Sequence, residues 1–82
     1  MSDRTVHAET PEAAVVRYDR AGVWRIEDKT ALRQFWGKRL NLRDVVEWVT
    51  EQEQSEVTYH FGVPGGLQFD KRVKAELERV AS

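Results

Sequence analysis

Cysteine is absent from the 82-residue chain, and its absence excludes several kinds of chemistry. Disulfide bonds, a thiolate nucleophile and cysteine-ligated zinc or iron–sulfur centres all require that residue. Long apolar runs are also lacking, since no stretch approaches the roughly 18 residues of a membrane-spanning helix. The first ten residues contain neither the basic nor the apolar region of a signal peptide. The sequence therefore predicts a cytoplasmic protein without a membrane partner.

Residue patterns that carry catalysis are equally scarce. The two histidines, His7 and His60, are not at metal-ligand spacing. The three serines, Ser2, Ser55 and Ser82, lack the sequence context of a nucleophile elbow, and the phosphate-binding pattern GxxxxGK(S/T) is absent. We therefore expect a protein that is not an enzyme and that uses no catalytic residue, cofactor or metal ion.

Size and composition indicate a single small domain. Hydrophobic residues make up 40% of the chain and charged residues 33%, with a net charge of −1, which is typical of a globular protein. Residues 1–10 are polar and without periodicity, so we expect a flexible N-terminal arm and a single domain over residues 11–82. A chain of this length buries only about 60–65% of its unfolded surface. Self-association or a bound partner would cover more of it, which keeps a homodimer open as an alternative.

The clearest helix signal lies in residues 41–54, NLRDVVEWVTEQEQ. Its apolar residues share one helical face: Leu42, Val45, Val46 and Val49. Asn41 is a favoured N-cap, and Asp44 lies at the third helical position, where a carboxylate meets free backbone N–H groups. These signals predict a central amphipathic helix.

Residues 13–28 admit two interpretations. Thr10-Pro11-Glu12 is typical of a helix start, with a capping residue followed by proline. Asp19-Arg20-Ala21-Gly22 instead has the composition of a turn that links two antiparallel strands and ends in a glycine with positive φ. Apolar and polar residues alternate on both sides of this turn, as they do in half-buried strands. The alternation favours a β-hairpin.

Residues 29–40, KTALRQFWGKRL, are also ambiguous. Four apolar residues recur at helical spacing: Leu32, Phe35, Trp36 and Leu40. Gly37 and the aromatic pair oppose a helix, because glycine costs about 1 kcal/mol in a helix interior and aromatic residues favour strands. The pattern favours a second central helix, and a strand through Leu32, Gln34 and Trp36 is the alternative.

The last third of the chain predicts a short hairpin and a final helix. Val57, Tyr59 and Phe61 alternate with polar residues, the GVPGG stretch of residues 62–66 must turn, and residues 67–69 return as a short strand. Asp70 then caps a helix whose apolar stripe comprises Val73, Leu77 and Val80. The expected fold is therefore α+β, with an N-terminal β-hairpin, one or two central helices, a short C-terminal hairpin and a final helix.

Charge is distributed unevenly in the middle of the chain. Five basic residues come first, with no acid among them: Lys29, Arg33, Lys38, Arg39 and Arg43. Five acidic residues follow, with no base among them: Asp44, Glu47, Glu51, Glu53 and Glu56. In one interpretation the two runs neutralise each other or form solvated faces. In the other, one run is a recognition surface, because a patch of single sign steers a complementary partner.

The acidic run predicts a protein-binding surface. Trp48 lies at the edge of the apolar stripe of the central helix, and tryptophan is enriched among the residues that dominate interface energetics. An accessible indole beside Glu47 and Glu51 would be such an anchor. We expect the site to comprise Glu47, Trp48 and Glu51, with Val63 and Pro64 of the GVPGG loop, and to bind another cellular protein without catalysis.

A small nucleic-acid-binding regulator is the alternative. Its candidate residues combine the basic run with the start of the final helix: Arg33, Trp36, Lys38, Arg39, Arg43, Lys71, Arg72 and Lys74. The last three would crowd the first turn of that helix, where the helix dipole disfavours cations. Against this alternative, the helix that would enter the major groove is acidic. The pI of 6.1 is also well below the value above about 9 that is typical of such domains.

Three stretches, VVRYDRAGVWRIE, NLRDVVEWV and HFGVPGGLQFDKRV, together resemble small uncharacterised accessory proteins of actinobacterial phages. Those proteins commonly contain a tryptophan-bearing hairpin, a short helix and a Gly-Gly-x-x-Phe-Asp stretch near the end. The resemblance covers about half of the chain and implies no particular site residues. It implies that the partner is a host protein, which such accessory proteins often bind and redirect.

Overall fold

The computed structural model describes residues 3–29 and 39–81. Within them the chain forms four β-strands, which are β1 (Arg4–Glu9), β2 (Ala13–Tyr18), β3 (Val23–Asp28) and β4 (Thr58–Tyr59). It also forms two α-helices, α1 (Leu42–Thr50) and α2 (Leu67–Ala81), and a short 3₁₀ turn over Gln54–Glu56. The strands are antiparallel and lie in the order β3-β2-β1-β4. The predicted α+β class, N-terminal hairpin and final helix are confirmed.

The N-terminal segment is a strand, and the prediction of a flexible arm over residues 1–10 is wrong for Arg4–Glu9. This stretch is β1, which pairs with β2 on one side and with β4 on the other. Its apolar side chains meet those of β2, with Val6 opposite Val16 and Ala8 opposite Val15. A largely polar stretch is stable here because strands on both sides satisfy its backbone N–H and C=O groups.

A β-bulge interrupts β1 between Val6 and Ala8. The extra residue is His7, and such a bulge re-aims a side chain that a regular strand would place differently. The imidazole lies in the core, with ring centroids 4.8 Å from Trp24 and 5.7 Å from Phe69. His7 is fully buried as a result.

The β2–β3 hairpin is confirmed, and the helical alternative for residues 13–28 is excluded. Tyr18 and Val23 close a four-residue loop in which Gly22 has φ +67° and donates its N–H to the Tyr18 carbonyl at 2.8 Å. Thr10 makes a turn between β1 and β2. Its hydroxyl oxygen accepts the Ala13 N–H at 3.1 Å, so this helix-start residue satisfies a turn backbone instead.

The central helix is confirmed but is shorter than predicted, since α1 ends at Thr50. The Asn41 side chain accepts the Asp44 N–H at 2.9 Å, and the Asp44 carboxylate accepts the Asn41 N–H, which completes a capping box. Beyond Thr50, the Gln54 amide donates to the Val49 carbonyl at 2.9 Å and so satisfies the helix end.

The alternatives for residues 29–40 lie almost wholly outside the described residues. Leu40 donates its N–H to the Trp24 carbonyl at 3.0 Å.

The final helix begins earlier than predicted, and there is no return strand over residues 67–69. Leu67 starts α2 directly after the GVPGG loop, and Asp70 lies within the helix, where its N–H donates to the Gly66 carbonyl at 2.8 Å. The expected Asp70 cap and C-terminal hairpin are therefore wrong. Phe69 decides the outcome, because helical geometry buries its ring against Trp24, with centroids 5.3 Å apart.

Both helices pack on one face of the sheet. The buried core comprises Ala8, Val15 and Trp24 from the sheet, Val45, Val46 and Val49 from α1, and Phe69 and Val73 from α2. Trp24 of β3 is 7% exposed and lies in this core. The apolar stripe of α2 fades along the helix, from a buried Val73 through a half-buried Leu77 to Val80, which is 65% exposed. In the described part of the chain no helix has the length and apolar character needed to cross a membrane.

Candidate functional site

A groove with a volume of about 440 Å³ lies between α1 and α2. It is lined by Arg43, Val46 and Glu47 from α1 and by Arg72, Ala75, Glu76 and Arg79 from α2. These residues recur at spacings of three and four, so each helix presents one continuous face to the groove. The neighbouring face of each helix is buried in the core, which holds the two groove walls in position.

The groove is lined by charged side chains above an apolar floor. The Nε of Arg43 lies 3.5 Å from Oε1 of Glu47 on the same helix. Arg79 is paired with Glu76, with its Nε 3.2 Å from Oε2, and the hydrogen bond from Arg79 lowers the pKa of the Glu76 carboxyl. Arg72 has no hydrogen-bond or ion-pair partner within residues 3–29 and 39–81. The groove therefore holds three guanidinium groups against two carboxylates, and one cation is unmatched.

The predicted protein-binding residues of α1 lie in three different environments. Glu47 lines the groove, where Arg43 neutralises it. Trp48 is half-buried and packs against the core, so its indole is only partly available to a partner. Glu51 is exposed at the end of α1, and its N–H donates to the Glu47 carbonyl at 3.2 Å. Glu47 is thus the residue that connects the sequence prediction to the groove.

The loop that carries Val63 and Pro64 packs at the start of α2. The Gly62 N–H donates to Oδ2 of Asp70 at 3.0 Å. A Cβ built on Gly65 would lie 2.9 Å from the Arg17 guanidinium, and one built on Gly66 would lie 2.7 Å from Nδ1 of His7. These contacts join the loop to β1 and to the β2–β3 hairpin, whereas Glu47 faces the middle of α2. The two parts of the predicted site therefore lie beside different parts of α2. The loop residues are next to its start, and Glu47 is next to its middle.

The residues of the nucleic-acid alternative are divided among several environments. Arg33, Trp36 and Lys38 lie outside the described residues. Arg39 and Lys71 are exposed, and Arg43 and Arg72 line the groove. Nζ of Lys74 lies over the Phe61 ring, 4.7 Å from its centroid. Because α2 begins at Leu67, the three cations of residues 71–74 lie beyond the first helical turn, which removes the expected conflict with the helix dipole.

The two charged runs do not form two opposed faces in the part of the chain that the structure describes. Arg43 is paired with Glu47, and Lys29 is paired with Glu9 on β1. Asp44 belongs to the capping box of α1. The neutralising interpretation therefore holds for Arg43 and Glu47, whereas Lys29 pairs outside the acidic run. The acids Glu51, Glu53 and Glu56 are exposed at and beyond the end of α1.

A second polar cluster, not anticipated from the sequence, lies where β1 meets β4. The Glu9 carboxylate accepts a hydrogen bond from Lys29 and lies 2.7 Å from Nε2 of His60, and these contacts lower the pKa of Glu9, with Lys29 the larger cause. A shallow cavity of about 240 Å³ lies beside it. No group of three histidine or acidic side chains among the described residues could hold a metal ion.

A third cluster joins Arg4, Tyr18 and Glu27 on the sheet face away from the helices. Arg4 Nη2 donates to Oε1 of Glu27 at 2.9 Å, and the Tyr18 hydroxyl donates to Oε2. Burial opposes the charge on Glu27, but the hydrogen bonds from Arg4 and Tyr18 outweigh it and lower its pKa. This network spans three strands, and it supports the sheet because it satisfies a carboxylate that is only 7% exposed.

Comparison with known proteins adds no further assignment. The chain matches no protein-family model, no curated protein and no solved structure.

Proposed function

We propose that this protein is a non-catalytic module that binds another protein through the groove between α1 and α2. The observation that carries the proposal is the position of Arg72, a guanidinium group without an acidic partner in the described residues, above a floor that includes Val46 and Ala75. Arginine is enriched at the centres of protein interfaces, where its planar group binds carboxylates with two hydrogen bonds. The groove is large enough to receive one or two side chains.

The charge of the groove specifies the chemistry of the partner segment. Arg43 and Arg79 are each paired with a glutamate, so a carboxylate that enters the groove is attracted most strongly to Arg72. An apolar side chain next to that carboxylate would displace water from Val46 and Ala75. The proposed partner is therefore an acidic segment with an adjoining apolar side chain.

The proposal changes the surface that the sequence predicts. The groove includes Glu47, and Trp48 and Glu51 extend the same helix beside it. Val63 and Pro64 lie in the loop at the start of α2 and belong to a secondary contact, if the partner is long enough to reach them. The resemblance to phage accessory proteins supports a host protein of the cytoplasm as the partner.

The test compares two charge reversals on neighbouring residues of α2. Arg72→Glu alters the groove, and Lys71→Glu makes the same change in charge on the exposed face outside it. Immobilised wild-type and variant chains are incubated with a host lysate, and the captured proteins are quantified. We expect Arg72→Glu to lower capture of the partner at least tenfold, while Lys71→Glu and wild type capture equally.

Three further measurements separate the alternatives. Trp48→Ala and Glu47→Lys test the remainder of the α1 surface, with circular dichroism as the control for folding. Light scattering of the isolated chain tests the homodimer. A titration with random duplex DNA across a salt series tests nucleic-acid binding, since log K would fall steeply with log salt concentration. Equal capture by wild type and Arg72→Glu, or steep salt-dependent DNA binding, would contradict the proposal.

A further inference from the structure

The most unusual side chain of the molecule is His7. It is 0% exposed, although it is ionisable and lies on a strand whose other members are mostly polar. Its ring is enclosed by Trp24 from β3 and Phe69 from α2, with centroids 4.8 Å and 5.7 Å away. The β-bulge at His7 places the ring there, because it breaks the regular alternation of β1.

Neither ring nitrogen of His7 has a hydrogen-bond partner within the described residues. Buried polar atoms are nearly always hydrogen-bonded, and an unpaired one destabilises the folded state. The Nδ1 atom packs against the backbone of Gly66, where a Cβ would lie 2.7 Å away. The ring therefore fits its site by shape, and neither nitrogen has an acceptor within hydrogen-bond distance. Oδ1 of Asp70 is also buried without a partner, but it makes no hydrogen bond to the ring.

The titratable and charged groups that act on His7 come from the hairpin loop, α2, β2 and the residue after β4, while β3 contributes the uncharged Trp24. Asp19 on the hairpin loop and Asp70 on α2 favour the protonated ring, while Arg17 on β2 and His60 after β4 oppose it. Burial is the largest effect and lowers the pKa of His7 below its usual value. The neutral imidazole is therefore the form that fits the folded protein.

We propose that His7 acts as an acid-sensitive lock: its neutral ring holds β1 against the start of α2, and its protonation opens this contact. While the ring is neutral, it fills the space between Trp24, Phe69 and Gly66. When it takes up a proton, neither ring N–H has an acceptor within hydrogen-bond distance, and the ring is solvated only if β1 and the start of α2 separate. The Gly62–Asp70 contact lies at the same junction and opens with it.

The direction of the pH dependence follows from the proton balance. The unfolded chain binds a proton at His7 near the ordinary pKa of about 6.5, and the folded chain binds it only at lower pH. The neutral His7 ring therefore contributes its full stabilisation above about pH 6.5. This stabilisation is lost as the pH falls from there toward the pKa of His7 in the folded chain. Within that window, one extra proton in the unfolded or open state raises the opening equilibrium constant up to about tenfold per pH unit.

The lock does not depend on the groove or on its partner. It concerns the contact of α2 with the sheet, and it can be tested in the isolated chain. His60 provides the matched control, because it is the other histidine of the sequence and is half-exposed and paired with Glu9.

The first experiment is an NMR titration of the two imidazole rings, combined with denaturant unfolding between pH 8 and pH 5. We expect the His7 ring to titrate below pH 6.5. We also expect His7→Leu, which fills the site with a side chain of similar size, to reduce the dependence of the unfolding equilibrium on pH relative to wild type. A His7 ring that titrates at or above its ordinary pKa, or equal pH slopes for wild type and His7→Leu, would overturn the proposal.

A second measurement does not require any variant to fold. Hydrogen exchange of the wild-type chain measures the protection of individual backbone amides. The Gly62 and Asp70 amides are hydrogen-bonded at this junction, and the Glu51 amide is hydrogen-bonded at the end of α1. After correction for intrinsic exchange, protection at Gly62 and Asp70 should fall between pH 7 and pH 5.5, while protection at Glu51 is retained. Loss of protection in parallel at all three amides would indicate global unfolding and would contradict a local lock.

Discussion

The helix α2 contacts the rest of the molecule in different ways on two of its faces. The core face is sealed, with Phe69 and Val73 fully buried and His7 packed against Gly66 just before the helix. The face from Arg72 to Arg79 forms one wall of an open groove, where Arg79 pairs with Glu76 and Arg72 has no partner in the described residues. The core face is held by close packing, and the groove face is lined mainly by charged side chains. We infer that the sealed part determines stability and that the open part is free to determine binding.

The strongest test of this difference within α2 is to truncate one side chain near each end of the helix and compare the losses of stability. Phe69→Ala removes a fully buried ring that contacts Trp24 and His7, and we expect it to lower the free energy of unfolding by about 3–5 kcal/mol. Val80→Ala removes an apolar side chain that is 65% exposed, and we expect a change within about 0.5 kcal/mol. Urea titration measures both. Similar losses for the two variants would show that the helix is stabilised evenly along its length.

A smaller effect is expected where the loop meets His7. Gly66→Ala places a methyl group 2.7 Å from Nδ1 of His7, and we expect it to cost about 1–3 kcal/mol. Gly62→Ala is the control, since its φ of +85° strains alanine by about 1 kcal/mol although nothing lies within 4 Å of the added Cβ.

A double-mutant cycle shows whether His7 is the origin of that penalty. In a His7→Ala background the Gly66→Ala penalty should shrink, whereas the Gly62→Ala penalty should not change. If the Gly66→Ala penalty is the same in both backgrounds, the close approach of the two residues does not contribute to stability.

Much of the sheet and α1 could be predicted from the sequence because local signals there agree with tertiary packing. The Asn41–Asp44 capping box, the turn at Gly22 and the alternation through Trp24 and Ile26 each act over a few residues. Every one of them favours the structure that the whole chain adopts. Agreement between local and global preference is the condition under which pattern reasoning succeeds.

The errors occurred where long-range contacts override local preference. Arg4–Glu9 reads as polar coil, and it is a strand because β2 and β4 pair with it on both sides. Phe69 reads as the end of a return strand, and it is helical because that geometry buries its ring on Trp24. The buried position of His7 depends on a bulge, for which a single sequence offers no signal.

The candidate site was predictable only in part, for a related reason. The spacing of Arg72, Ala75, Glu76 and Arg79 already places them on one helix face, and Arg43 and Glu47 on another. Nothing local indicates that these two faces meet across a groove. The sequence therefore predicts a recognition surface on α1 and the GVPGG loop, and it assigns the cations of residues 71–74 to a different function.

The smallest effect on stability is expected in the groove itself. Glu76→Gln removes the carboxylate that holds Arg79. The Arg79 side chain is exposed and that of Glu76 is half-buried at the surface, where such pairs contribute little. The denaturation midpoint should match that of wild type. Arg79 would then be a second unmatched cation beside Arg72, so capture of an acidic partner should increase two- to fivefold at low salt, and the increase should disappear at high salt. A variant with unchanged stability and stronger binding would show that the groove face of α2 determines binding without contributing to stability.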